Sequence, residues 1–208
     1  MGVVRHGIQM PAKVKARNEL GLIHVYTGDG KGKTTASLGL ALRASGHGFR
    51  VAVVQFMKGG RFFGELLAAE RYLKRRVHFA QFGQSTPFEA EIRRGELKPS
   101  KDIFLPIEDE GSHMEKALAY ADKAIKSRKY NLVVLDEINV AVSMGHLKAS
   151  DVLKVMLSKP RHVELVLTGR NAHPAIVEAA DYVSEIRQIK HPFDRKRNKI
   201  IGRRGIEY

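Results

Sequence analysis

The sequence predicts an α/β fold in three layers, a mainly parallel central sheet of about six strands sandwiched between helices. Two observations predict it. Short apolar, β-rich runs occur at residues 22–26, 51–56, 77–82, 132–135, 163–167 and 183–186, and most are continuous rather than alternating, as in strands covered on both faces. Helical patterns fill the intervals at 34–45, 62–75, 113–128, 149–158 and 174–180. Regular alternation of strand and helix is the signature of a parallel sheet with crossovers.

Taken in order, the first strand runs into a glycine-rich loop, and the helix after it is closed by Gly46 and Gly48. The second strand ends at Gln55-Phe56 and leads through Met57-Lys58-Gly59-Gly60 to the second helix. After the third strand, residues 84–112 form a polar segment of both charge signs carrying Pro87, Pro99 and Pro106. A connection that long inside a compact domain is a functional loop or lid, or else an insertion with no role. The fourth strand ends in Asp136-Glu137, Ser150-Asp151 and Lys159-Pro160 bracket the next helix, and the fifth strand ends in Thr168-Gly169-Arg170. Residues 1–20 read as a basic arm ahead of a single α/β domain, 21–208.

The 208 residues suit one domain that buries roughly 70% of the surface its unfolded chain exposes. No apolar run approaches the ~20 residues of a membrane span, and the basic N-terminus lacks an apolar signal segment, so a cytoplasmic protein without a membrane partner is expected. The chain has no cysteine, which excludes a disulfide framework, thiolate metal ligation and thiol nucleophiles. A net charge of +14 invites a polyanionic ligand. The basic residues are nevertheless scattered over 71–76, 123–129, 195–199 and 203–204 without an aromatic-rich sheet motif or recognition helix, so nucleic acid is not the expected partner.

The chemistry concentrates in Thr27-Gly28-Asp29-Gly30-Lys31-Gly32-Lys33-Thr34-Thr35. Glycines open backbone conformations that let amides approach phosphate oxygens, and a helix starting near Thr34 points its free N–H groups and positive dipole end at the anion. Lys33 supplies a mobile charge, and the Thr34 hydroxyl is placed to ligand Mg²⁺, for which Mn²⁺ is an alternative. The usual spacing puts four residues between the first glycine and Gly-Lys-Thr, but three separate Gly28 from Gly32. The loop is one residue tight. Asp136-Glu137 at a strand's C-terminal end supplies carboxylates for the metal, one directly or through water and one behind it. Gln55 and Arg170 should reach the same edge; Arg170 could clamp phosphate or serve a structural ion pair. The fold expected from this motif set is a P-loop NTPase-like sandwich. None of the nine histidines sits at zinc-ligand spacing with another.

Tyr26–Thr35, Gly46-His47-Gly48, Val53-Val54-Gln55-Phe56-Met57-Lys58-Gly59, Leu135-Asp136-Glu137-Ile138-Asn139, Leu167-Thr168-Gly169-Arg170, Glu185-Ile186-Arg187, Lys190-His191-Pro192-Phe193 and Gly205-Ile206-Glu207-Tyr208 resemble, in order and spacing, the P-loop-type ATP:corrinoid adenosyltransferases. The resemblance runs from about residue 20 to the end, interrupted over 84–112. It implies transfer of the 5′-deoxyadenosyl group of ATP to the cobalt of a reduced corrinoid, with release of tripolyphosphate, in adenosylcobalamin biosynthesis or salvage. It also implies a triphosphate bound in reverse, of which the short loop is a mark, with Lys33, Thr34 and Glu137 at the reacting end. The nucleophile is then cobalt(I), and no side-chain base is needed.

The resemblance further implies aromatic residues packed on the lower corrin face, an arm over the site, a homodimer and an electron donor such as a flavoprotein. The family's pattern there has a Phe and a Trp two apart, and this chain has no tryptophan. Phe82 and Phe88 are the nearest candidates, and each is equally compatible with plain core. A different class, a nucleic-acid-associated P-loop ATPase, would use the basic surface but should carry the full loop spacing and a polar residue that orients water. A binding module without catalysis fits least, because Lys33, Thr34 and the carboxylate pair are intact.

Overall fold

The computed structural model describes residues 20–85, 94, 110–194 and 202–208, and among the described residues the main elements are six strands with helices in the intervals between them. In chain order they are β1 (Ile23–Thr27), α1 (Lys33–Gly46), β2 (Val51–Gln55), α2 (Gly64–Tyr72), β3 (Val77–Gln81), α3 (Glu110–Lys126), β4 (Leu132–Asp136), α4 (Ile138–Ser143), α5 (Ala149–Leu157), β5 (Glu164–Thr168), α6 (Pro174–Glu178) and β6 (Tyr182–Glu185), before a 3-10 turn at Pro192–Asp194. The sheet order is β3-β2-β4-β5-β1-β6, with every neighbouring pair parallel. This is the expected α/β architecture, consistent with a P-loop NTPase-like sandwich.

The continuous apolar runs follow from burial on two sides. All five residues of β2 and of β4 are buried, and alternate side chains enter two separate cores. Ala52, Val54, Val133 and Leu135 face α3, α4, α5 and α6 through Met114, Ile125, Ile138, Met156 and Ile176. Val51, Val53, Leu132 and Val134 face α1 through Ala41 and Leu38. β6 departs from the pattern: its four residues are exposed, because it closes one end of the sheet and has a strand on one side only.

Two boundaries differ from expectation. α3 begins at Glu110, inside the stretch read as a loop, since Glu-Gly-Ser-His is polar and weakly helical while Met114 and Ala117 behind it are fully buried. The short α4 has no counterpart in the sequence reading. Asn and two β-branched valines disfavour a helix, but Ile138 and Ala141 are fully buried beneath it. The arm before residue 20, Phe88 and most of the 84–112 segment lie outside the described residues. Among the described residues no helix is long and apolar enough to cross a membrane.

Register positions the functional groups. Gln81 pairs with Gln55 and Gln55 with Asp136; Leu135 pairs with Leu167, and Tyr26 with Thr168. The C-terminal ends of β3, β2, β4, β5 and β1 are therefore level, and the polar residues that end these strands meet along one sheet edge, where open parallel sheets bind ligands.

Candidate active site

The β1–α1 loop owes its shape to close backbone packing. Gly30 N–H donates to the Ile186 carbonyl at 2.7 Å. A Cβ on Gly28 would lie 2.4 Å from that oxygen, and one on Gly30 would lie 2.7 Å from it. These two glycines thus let the loop lie against the chain leaving β6. Gly32 differs: φ is +127° and a Cβ would meet nothing within 4 Å. It is glycine for its backbone angle, and it opens α1 toward empty space. Gly28→Ala combines the clash with φ +92° and should destabilise the protein by about 2 kcal/mol or more; Gly32→Ala carries strain alone and should cost about 1–2 kcal/mol, a ranking that urea unfolding of both variants checks.

Lys33 is 7% exposed, and its ammonium donates to the Gly28 carbonyl at 2.6 Å and the Gly30 carbonyl at 2.7 Å. Burial lowers its pKa, with Arg170 adding to the effect and Glu137 and Asp29 opposing it. Thr27 braces the loop by accepting from the Ala172 amide at 3.2 Å. Asp29 accepts from the Gln188 amide at 3.3 Å.

Asp136 is the hub. It is fully buried, and four groups donate to it. Oδ1 accepts from Thr34 Oγ1 at 2.8 Å and Thr168 Oγ1 at 2.7 Å; Oδ2 accepts from Lys58 Nζ at 2.9 Å and Gln55 Nε2 at 3.3 Å. Gln55 is itself held by Gln81 Nε2 donating to its Oε1 at 3.0 Å. Gln55 therefore stands behind the cleft: it is fully buried and bonded to the carboxylate. Lys58 also donates to Thr34 Oγ1 at 3.0 Å. Burial alone would lower the Lys58 pKa, yet the charge and hydrogen bond of Asp136, backed by Glu137 and Glu65, raise it.

Glu137 adopts φ 65°, ψ 18° at the junction of β4 and α4, a left-handed conformation unusual for a non-glycine residue and a frequent mark of functional positions. Its amide donates to Thr168 Oγ1 at 3.0 Å, so one hydroxyl fixes both acidic residues. Burial and the neighbouring Asp136 charge raise the Glu137 pKa, against the pull of Lys58, Lys33 and Arg170. The folded state then binds this proton more tightly than the unfolded chain. Stability should fall as pH rises from the ordinary 4.5 through the raised value. Glu137→Gln should flatten that part of the profile and raise Tm at neutral pH, as thermal unfolding across pH would show.

A cleft of about 730 Å³ lies over these groups. Asp29–Thr35, Lys58, Glu65, Glu137 and Arg170 line it, and Gly205–Tyr208 form an opposing wall. Lys31 ties that wall to the loop, with its ammonium 3.2 Å from Glu207 Oε1, and Tyr208 meets Phe62 edge-on at 5.9 Å. Phe82 does not line this cleft; it packs against the larger core and Tyr120, ring centroids 5.4 Å apart. Sequence reasoning missed Lys58, Thr168 and the closing segment as site residues. All three lay within the quoted motifs, and their positions just beyond β2, at the end of β5 and in the Gly205-Ile206-Glu207-Tyr208 block were the available signals.

A glycine loop between β1 and α1, a lysine over it, and a threonine hydroxyl facing a carboxylate at the end of β4, on an all-parallel sheet flanked by helices, are consistent with the P-loop NTPase-like class of sandwich. Within that class the chain belongs to the ATP:corrinoid adenosyltransferase BtuR/CobO/CobP family, whose model matches residues 19–208. It is 35% identical over 213 residues to a corrinoid adenosyltransferase of Sinorhizobium sp., covering 98% of this chain and 92% of the relative. To those of Pseudomonas aeruginosa and Escherichia coli (strain K12) it is 33% and 34% identical, over 93% of this chain and 87% and 89% of the relatives.

Proposed function

We propose that the chain is a transferase that moves the 5′-deoxyadenosyl group of ATP onto the cobalt of a reduced corrinoid and releases tripolyphosphate. The observation that carries this reading is the character of the cleft. Its polar wall carries Lys31, Lys33, Lys58 and Arg170, cations of the kind that suit phosphate, beside Glu137 and the Thr34 hydroxyl, with Asp136 buried behind them. Thr34 Oγ1 and the Asp136 and Glu137 carboxylates are hard oxygen donors, and Mg²⁺ takes one or two such groups plus phosphate oxygens and water. They fit that ion, with Thr34 and Asp136 nearest one another and Glu137 facing the cleft. Bound Mg²⁺ would supply positive charge to the triphosphate.

In the reaction cobalt(I) donates an electron pair to the ribose C5′, the C5′–O bond breaks, and its pair leaves on the triphosphate oxygen. Negative charge grows on the departing group, so fixed cations and amides are what the transition state needs. Lys33 and the loop amides other than that of Gly30, which is bonded to Ile186, hold the triphosphate, Arg170 clamps it from the β5 side, and Gln55 and Thr168 keep Asp136 oriented. No residue has to abstract a proton. The reading extends to a homodimer, an external electron donor such as a flavoprotein, a cytoplasmic setting, the arm and the 84–112 segment over the corrin, and Phe82 and Phe88 against its lower face.

Incubation with MgATP and a chemically reduced corrinoid tests it. An alkyl-cobalt spectrum together with tripolyphosphate is the expected result. ADP released without corrinoid, and stimulated by DNA or RNA, would sink the reading in favour of a nucleic-acid-associated ATPase.

A further inference from the structure

One atom stands where the cation is expected. Lys58 Nζ lies 3.0 Å from Thr34 Oγ1 and 2.9 Å from Asp136 Oδ2, so it touches both groups assigned above to Mg²⁺. The Asp136 carboxylate is fully buried and the Lys58 side chain only 20% exposed. The ammonium is thus the counter-charge that a buried carboxylate requires. Its reach is set by chain geometry. Lys58 sits three residues beyond Gln55, the last residue of β2, which lies beside β4, and the Phe63 ring lies 6.0 Å from the ammonium.

We propose that Lys58 is a tethered cation that holds the metal position until nucleotide arrives, so that the site selects the metal–nucleotide complex over the free metal. A bare dication would have to dislodge a bonded ammonium, shed water and gain only two or three protein oxygens. A metal entering with a triphosphate brings its own oxygen ligands and offers the displaced ammonium new anionic partners. Lys58 and Lys33 line the same cleft, so the freed charge stays on the wall that faces phosphate. Lys58 is in this sense a positioning and specificity residue. The inference rests on the reading of Thr34 and Asp136 as metal-binding groups, and the experiment separates the two.

Mn²⁺ binding followed by electron paramagnetic resonance, with no corrinoid and no turnover, is the test. The native protein should take up Mn²⁺ alone weakly, and Lys58→Met should bind it about tenfold or more tightly, because a positive charge next to the site has gone. Lys58→Gln, which keeps a polar side chain, guards against a folding defect and should shift affinity the same way. Without metal the Tm of Lys58→Met should drop, and Mn²⁺ alone should restore it. The inference is overturned if both variants bind Mn²⁺ alone no better than the native protein while the Mn²⁺–ATP spectrum of the native protein still changes on Thr34→Ala. If Thr34→Ala leaves that spectrum unchanged, the metal reading and the inference fall together.

Discussion

Lys33→Ala lowers kcat/KM for adenosyl transfer by about 10²–10³-fold, the usual cost of removing one preorganised group that faces developing charge. The side chain is nearly buried and its ammonium clasps two loop carbonyls, Gly28 and Gly30. Those carbonyls belong to the loop that lines the cleft, so water can replace the ammonium, and Tm should move by only a few degrees. The loss should fall mainly on kcat if the lysine acts on the leaving triphosphate, and on KM if it serves ground-state binding alone. Steady-state kinetics at saturating corrinoid separates these. Near-native transfer by the variant would remove Lys33 from the mechanism.

Asp136→Ala has the largest expected effect on the fold. Four donors, Thr34, Thr168, Lys58 and Gln55, lose their acceptor at once, and the Lys58 ammonium is left beside a cavity without its counter-charge. Breaking a buried pair from one side costs about 3–5 kcal/mol, which for a chain of this size lowers Tm by about 10 °C. Chemical denaturation with unchanged slope would measure it. Adding Lys58→Met should recover part of the loss, because the second change removes the stranded charge. A strictly additive double variant would mean that the two side chains do not interact.

Much of this architecture was legible because it is written in local patterns. β4 is five buried residues ending in Asp136, and a continuous apolar run ending in acid cannot easily be anything but an interior strand opening on a site. The Gly32-Lys33-Thr34 step likewise carries its own helix start. What escaped lacks a local mark. Lys58 is a lysine in a glycine-flanked loop, like many surface lysines, and only the pairing of β2 with β4 brings it to Asp136. Thr168 was placed at the right edge, but its two hydrogen bonds, donated to Asp136 and accepted from the Glu137 amide, depend on β5 lying between β1 and β4. Gly28 and Gly30 were read as letting amides approach phosphate; the structure adds that both lie against Ile186, a neighbour 156 residues or more away whose approach the register of β1 and β6 decides. α4 owes its existence to the core under Ile138 rather than to its propensity.

The wall formed by Gly205–Tyr208 has a consequence for the life of the chain. Lys31 and Glu207, which meet at 3.2 Å, are 176 residues apart in sequence, so the cleft is finished only when Gly205–Tyr208 is in place. Nucleotide can then act as a quality signal: it stabilises by RT ln(1 + [L]/Kd), and most strongly those chains that hold the complete pocket. A product cut short before residue 205 would keep the loop, the sheet and both cores, yet it would forgo part of that ligand-derived stability and stay more open to proteolysis at cellular ATP levels.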